Sequence, residues 1–231
     1  MNGYCKVYDL KTTYLLFEGQ YLKDKKNGKC KEYYDYDKIK FEGEYLNGKK
    51  WNGKGYNKNG NIEYEIKDGN GYIKEYDHYV ELRFEGELLK GERNGKGKEY
   101  DSDGKLEFEG EYLNGKRNGK GKEYSDDELE FEGGYLNGER NGKGKEYYSD
   151  DNIRFEGEFL NGKKWNGKGY NKNGNIEYEI KDGKGYIKEY NKNGKLIFEG
   201  ELLKGERNGK GKEYNYNGKL VFEGEYLYGK K

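Results

Sequence analysis

The sequence predicts an all-β protein built from one repeated hairpin, and three observations support this prediction. Alanine and proline are absent from the 231 residues, and without alanine an ordinary helical domain is not expected. A phrase beginning Phe-Glu-Gly recurs along the chain at spacings of 23, 24 or 43 residues. Within each copy, apolar residues, glycines and charges alternate with a period of two, which is typical of strands. We therefore expect an elongated single-layer antiparallel sheet of consecutive β-hairpins.

The repeated array is expected to occupy residues 17–231, after a lead-in strand or cap over residues 1–16. Each 43-residue spacing contains a degenerate copy whose middle loop is about four residues shorter. Residues 41–76 and 155–190 differ at two positions, so a larger block has been duplicated at an offset of 114 residues. Because a lone hairpin is marginal in water, stability must come from stacking one unit on the next. The units start at residues 17, 41, 64, 84, 108, 131, 155, 178, 198 and 222.

The unit from Phe108 to Tyr124 indicates how each hairpin pairs. Asn114-Gly115 tolerates positive φ and supplies a tight turn between two strands. Burial of a large ring contributes about 1.5–3 kcal/mol, against about 0.2–1 kcal/mol for an exposed charge pair. Rings laid over glycines are therefore expected to stabilise the sheet, while charges fix its register. The expected pairs are Glu111 with Lys120, Glu109 with Lys122, Tyr112 with Gly119 and Gly110 with Gly121.

Composition limits the location and the chemistry of the chain. The 45 basic residues balance the 45 acidic ones, which argues against a nucleic-acid partner. No stretch approaches the 18 apolar residues of a membrane span, and the first residues lack a secretory apolar region. We expect a cytoplasmic protein that can lie peripherally at a membrane or a cytoskeletal structure. Cys5 and Cys30 fit no metal or disulfide spacing and are expected to be free thiols.

No residue pattern points to catalysis. His78 is the only histidine, and neither a Ser-His-Asp nor a Cys-His arrangement can be assembled around it. The many carboxylates are strand positions facing lysines rather than an isolated acid/base pair. The sequence therefore predicts no enzyme, no catalytic or metal-binding residues and no cofactor.

The repeat resembles that of the MORN family (membrane occupation and recognition nexus), in which an aromatic-x-Gly-x-aromatic segment precedes Asn-Gly and Gly-x-Gly within about 23 residues. In this chain the matching residues are Phe108, Gly110, Tyr112, Asn114, Gly115, Gly119 and Gly121. The chain is also similar to the bacterial YwqK-like variants of this repeat, which are known as antitoxins. The resemblance covers nearly the whole chain, although Leu88 and Leu202 replace the second aromatic residue.

The resemblance implies a non-enzymatic MORN-repeat solenoid that acts as a protein–protein interaction or scaffolding module. It further implies association with acidic surfaces such as anionic phospholipid, and pairing through terminal repeats into a homodimer. The alternative is an antitoxin-like neutralising protein of the YwqK type.

Two sets of residues are candidates for partner binding. Trp51 and Trp165 occupy matching positions in the duplicated blocks and are expected to anchor a peptide or helix, unless they cap a neighbouring ring stack. Loop cations are expected to form a basic edge that attracts acidic partners. These cations are Lys49, Lys50, Arg93, Lys116, Arg117, Arg140, Lys163, Lys164 and Arg207.

The last unit is expected to mediate self-association. It begins at Phe222 and contains only its first strand, so its edge offers unpaired backbone groups to a second copy. We expect Phe222, Tyr226 and Tyr228 to form this edge.

Overall fold

The structure is a computed structural model that describes residues 1–34, 38–77 and 81–231. His78 lies outside the described residues. Twenty β-strands follow one another along this part of the chain, which contains no helix. The strands are β1 Gly3–Tyr8, β2 Leu15–Leu22, β3 Lys25–Tyr33, β4 Ile39–Leu46, β5 Lys49–Tyr56, β6 Ile62–Ile66, β7 Gly71–Tyr76, β8 Leu82–Leu89, β9 Glu92–Tyr100, β10 Leu106–Leu113, β11 Lys116–Ser125, β12 Glu128–Leu136, β13 Glu139–Tyr147, β14 Ile153–Leu160, β15 Lys163–Tyr170, β16 Ile176–Ile180, β17 Gly185–Tyr190, β18 Leu196–Leu203, β19 Glu206–Tyr214 and β20 Leu220–Tyr226.

The predicted all-β fold class of consecutive antiparallel hairpins is confirmed. Every repeat start expected from the sequence falls within an even-numbered strand, from Phe17 in β2 to Phe222 in β20. The expected lead-in region contains β1, which pairs antiparallel with β2. The repeat phrase therefore marks the first strand of each hairpin.

Contacts divide the chain into two units, Met1–Lys116 and Arg117–Lys231. In unit 1, β1–β6 form one sheet in chain order and β7–β10 pair in chain order. In unit 2, β11–β16 pair in chain order and β17–β20 form a four-stranded sheet. The two strands of each shortened repeat, β6–β7 and β16–β17, are joined by one isolated bridge at their turn rather than by a ladder. Each unit therefore consists of two sheet segments that meet at a shortened repeat.

The hairpin β12–β13 shows how much of the expected register is correct. Glu132 pairs with Lys145 and Gly133 with Gly144, as predicted for the equivalent residues. Tyr135, however, pairs with Arg140 instead of Gly142. The cause is a bulge, since Gly142 has a φ of +80° and β13 contains two more residues than β12 between the matched pairs. The second Asn-Gly of each full repeat is therefore a bulge rather than part of a turn.

The turns between the strands of each hairpin are linked along one edge of a unit. Asn114 and Gly115 have φ values of +51° and +81°, as the sequence predicts for a tight turn. In unit 2, the amide of Gly162 donates to the carbonyl of Arg140 at 2.9 Å, and that of Gly183 donates to the carbonyl of Trp165 at 2.8 Å. Each hairpin thus holds the turn of the next one.

Candidate functional site

One face of each unit carries a column of phenylalanine rings. Six of these rings are fully buried. A Cβ atom added to Gly133 would lie 2.6 Å from the Phe131 ring and 2.7 Å from the Cα of Gly144, so the two facing glycines provide the space that the ring fills. Phe159 packs edge-on against Phe131 and Phe155, with centroid distances of 5.1 and 5.5 Å, and so joins adjacent repeats. The fully buried rings are Phe41, Phe84, Phe108, Phe131, Phe155 and Phe198.

A column of cations covers these rings. The guanidinium carbon of Arg207 lies 3.9 Å from the Phe198 ring centroid, and Arg140 lies 4.2 Å from that of Phe131, within the range of cation–π attraction. The bulge described above places each cation within a strand and opposite the second aromatic position. Most of the cations that were predicted to form a basic edge therefore lie on the face that carries the phenylalanine rings. The cations over phenylalanine rings include Lys26, Lys50, Arg93, Arg140, Lys164, Arg207 and Lys231.

Glutamates alternate with the cations along the column. Arg207 binds Glu189 of the preceding hairpin and, at 2.8 Å, Glu213 of its own hairpin. Arg140 likewise binds Glu123 of the preceding hairpin and Glu146 of its own. A regular repeat thus gives each arginine two carboxylates, which offset the cost of covering its charge.

Glu146 is the most enclosed of these carboxylates. Its side chain is 8% exposed and contacts Lys164 at 2.8 Å, Arg140 at 3.0 Å and Arg154 at 3.5 Å. Burial opposes ionisation, but the three cations outweigh burial and lower the pKa of Glu146 to about 2. Three cations thus share Glu146, and of these Arg140 also binds Glu123, so cations outnumber carboxylates in this cluster.

The two sheet segments of unit 2 fold towards each other at the shortened repeat. Arg154 of β14 donates to the carbonyl of Tyr190, at the end of β17, at 3.3 Å. The amide of Ser149 donates to the carbonyl of Lys192 at 3.0 Å. The rings of Tyr148 and Tyr190 lie 6.4 Å apart. These contacts connect positions 36 to 43 residues apart in sequence.

A cavity of about 490 Å³ lies between the two sheet segments of unit 2. Its lining comes from β13 to β19 and combines the rings of Phe159 and Tyr178 with the charged side chains of Glu146, Arg154 and Lys164. Five lining residues are basic and two are acidic. The cavity is therefore a recess of aromatic walls and positive charge.

The opposite face of the sheets is solvated and charged. Cross-strand pairs such as Lys145–Glu156 and Lys168–Glu179, both at 3.4 Å, lie on exposed side chains and contribute little. Next to seven of the hairpin turns in the described part of the chain, this face also presents an exposed leucine. We call these leucines the leucine row: in unit 1 Leu22, Leu46, Leu89 and Leu113, and in unit 2 Leu136, Leu160 and Leu227.

The structure separates the residues that the sequence grouped as a partner surface. Trp51 and Trp165 are half-buried and pack against the turn glycines of the shortened repeats, Gly69 and Gly183. Lys49 and Lys163 lie on the charged face, where each binds a glutamate at 2.6 Å. The remaining grouped residues divide between Lys116, which is exposed, and Lys50, Arg93, Arg117, Arg140, Lys164 and Arg207, which are half-buried.

The expected self-association edge lies on β20, the last strand of its sheet. Tyr226 is buried and packs edge-on against Phe198 and Phe222, with centroid distances of 5.5 and 5.3 Å. Tyr228 is 64% exposed. The ring pair thus supports the sheet, and Tyr228 is the residue of this group that a second chain could contact.

Sequence reasoning missed the buried carboxylates, the cation column and the cavity. A signal was present: the glutamate of Gly-Lys-Gly-Lys-Glu-Tyr and the cation before Asn-Gly recur together in the copies that start at Phe84, Phe108, Phe131 and Phe198. A charged residue that recurs at a fixed spacing from an aromatic residue is a candidate to pack against the aromatic ring.

The model of the family described as MORN repeat matches residues 17–37, 108–128, 131–153 and 198–219, and that of the MORN repeat variant matches residues 93–114. The matched segments are similar to MORN repeats, a family of modules that is generally non-catalytic. No curated protein matches the chain.

Within the described ranges, no helix is long and apolar enough to cross a membrane, and no three His, Cys, Asp or Glu side chains are grouped to hold a metal ion.

Proposed function

We propose that this MORN-repeat protein is a non-catalytic binding module that docks an amphipathic helical segment of a protein partner along the leucine row. The observation that carries this proposal is the exposure of a leucine at the same position of most hairpins, for example Leu136 at 48% and Leu160 at 41%. These residues lie on β12 and β14, two strands apart, which corresponds to about 10 Å. Apolar residues seven positions apart on a helix are separated by a similar distance, about 10.5 Å.

The charges beside the leucine row favour a protein surface over an anionic membrane. Directly across the hairpin, Leu160 faces Lys163, whereas Leu136 faces Glu139 and Leu89 faces Glu92. Both signs therefore border the row. A polar rim of mixed charge around apolar anchors is the usual anatomy of a protein–protein interface, whereas a membrane site would have cations alone.

The test compares two double variants that remove equal apolar surface. Leu136→Ser with Leu160→Ser alters the row, and Ile62→Ser with Ile176→Ser alters exposed isoleucines outside it. Affinity capture from the native host and mass spectrometry identify a partner, whose binding is then measured with purified proteins. We expect the row variant to weaken binding at least about tenfold while circular dichroism stays unchanged. Equal affinity for both variants would overturn the assignment, and binding only to anionic vesicles would replace the protein partner by a membrane.

We also propose self-association through β20, because an edge strand offers unpaired backbone groups to a second copy. β20 pairs with β19 along one side, and Tyr228 beside it is exposed. Light scattering should show a mass that rises with protein concentration, and Tyr228→Ser should lower it. A monomeric mass at all concentrations would contradict this part of the proposal.

A further inference from the structure

The charge column loses its regular alternation at the bend of unit 2. In the full hairpin β12–β13, Glu146 lies opposite Phe131. In the hairpin β14–β15, Gly169 occupies the corresponding position opposite Phe155. The position on β15 that would supply a carboxylate to Lys164, the cation of this hairpin, is thus a glycine, and Lys164 binds Glu146 of the preceding hairpin at 2.8 Å.

The ring of Tyr178 fills the space that the missing carboxylate would occupy. A Cβ atom on Gly169 would clash with this ring, and Tyr178 is 7% exposed. The phenol replaces the volume of a glutamate but not its negative charge. Lys164 consequently binds the carboxylate of Glu146, whereas Arg140 and Arg207 each bind two carboxylates.

A further cation, Arg154, lies beside Glu146 and Lys164. Arg154 reaches Glu146 at 3.5 Å and the Tyr190 carbonyl at 3.3 Å. Both contacts are at the long limit for a hydrogen bond, so the guanidinium retains donor capacity. Arg154 and Lys164 both line the cavity, beside Arg207 from the other sheet segment. Cations from three strands thus converge on one recess, whose lining contains five basic residues against the two carboxylates of Glu146 and Glu189.

We propose that the cavity of unit 2 binds a small soluble polyanion bearing phosphate or carboxylate groups, which adds negative charge beside Arg154 and Lys164, where basic lining residues outnumber acidic ones. Enclosed positive charge is costly without a counter-charge, and guanidinium and ammonium groups are the usual ligands of these anions. The aromatic walls of Phe159 and Tyr178 provide contact area for an organic moiety. This site is separate from the leucine row and does not depend on the proposed partner.

The corresponding position of unit 1 is less suited to an anion. Tyr45 stands where unit 2 has Phe159, and its hydroxyl donates to Glu32 at 2.6 Å. Lys40 stands in place of Arg154 and donates to the Tyr76 carbonyl. Burial, together with the nearby charge of Lys50, lowers the pKa of Lys40. We therefore expect one bound anion per chain.

Isothermal titration calorimetry of the full chain with inorganic pyrophosphate tests the proposal. The expected result is one site per chain. Arg154→Gln should weaken binding about tenfold or more, and the fold should persist because Glu146 keeps Arg140 and Lys164. The matched control is Lys168→Gln on β15, an exposed cation whose loss changes the net charge equally and should leave affinity within about twofold.

Four outcomes would overturn the proposal. The first is an absence of pyrophosphate binding, and the second is equal loss in Lys168→Gln, which would indicate non-specific attraction. A stoichiometry of two would contradict the assignment to unit 2 alone. Binding to vesicles containing phosphatidic acid but not to pyrophosphate would assign the phosphate to a lipid headgroup instead of a soluble ligand.

Discussion

Glu146 gives the most direct test of the charge column, because its ionisation should contribute to the stability of unit 2 in a pH-dependent way. Lowering its pKa from 4.5 to about 2 corresponds to on the order of 3 kcal/mol of stability. A carboxyl with a lowered pKa stabilises the fold above its unfolded pKa, and this contribution disappears as pH falls towards the folded value. About 2 kcal/mol of it should be lost between pH 7 and pH 3.

The perturbation is Glu146→Gln, which keeps the side-chain volume and removes the charge. At pH 7 the three surrounding cations lose their common carboxylate, so the free energy of unfolding should fall by about 3–5 kcal/mol. The matched control is Glu156→Gln, whose carboxylate is about half exposed and binds Lys145 at 3.4 Å. It should cost less than about 1 kcal/mol.

The assay is urea denaturation followed by tryptophan fluorescence in a Trp51→Phe background. The chain has two tryptophans, so Trp165 then reports on unit 2 alone. The difference between the parent and Glu146→Gln should be about 2 kcal/mol smaller at pH 3 than at pH 7, while the Glu156→Gln difference should be small at both. A Glu146→Gln difference that is independent of pH would refute the electrostatic explanation and leave a packing effect.

Three further predictions concern other parts of the column. Tyr45→Phe removes the hydroxyl that donates to Glu32 and should destabilise unit 1 by about 1.5–3 kcal/mol in urea denaturation; no change would show that the hydrogen bond is replaced. Gly157→Ala places a methyl group against the facing backbone and should cost about 3 kcal/mol by the same measurement. Burial raises the pKa of Cys30 to about 12, so iodoacetamide at pH 8 should label Cys5 much faster, as read by mass spectrometry; equal rates would contradict the buried position.

The sequence was sufficient for the hairpin array because its signals are local. A period of two, paired glycines and an Asn-Gly turn are all present within one repeat, such as the copy that starts at Phe131. The bulge at Gly142 was not recognised because its Asn-Gly is the same signal as a turn, and only pairing across strands distinguishes the two. Because of that ambiguity, the cations were predicted to lie on a loop edge, whereas in the structure most of them lie on the face that carries the phenylalanine rings.

The candidate site could not be predicted because it depends on contacts across the bend. Arg154 and Tyr190 are 36 residues apart in sequence, and nothing in the alternation of either strand indicates that they meet. The sequence left the register of the shortened repeats open, and these are the places where the ladder is interrupted. The YwqK-like similarity, the cytoplasmic location and the partner-binding roles of Trp51 and Trp165 stay predictions.

In the shortened repeat, the same missing residues interrupt the ladder between its two strands and remove the cation of the column. A full repeat contains the bulge that brings a cation over its ring, as Arg140 lies over Phe131. The shortened repeat joins β16 to β17 through one bridge at the turn and has no cation before an Asn-Gly. The ladder and the alternation of charges therefore stop at the same point. The recess at the bend therefore has more cations than carboxylates in its lining, and Gly169 stands where a full repeat such as that of Phe131 has its glutamate.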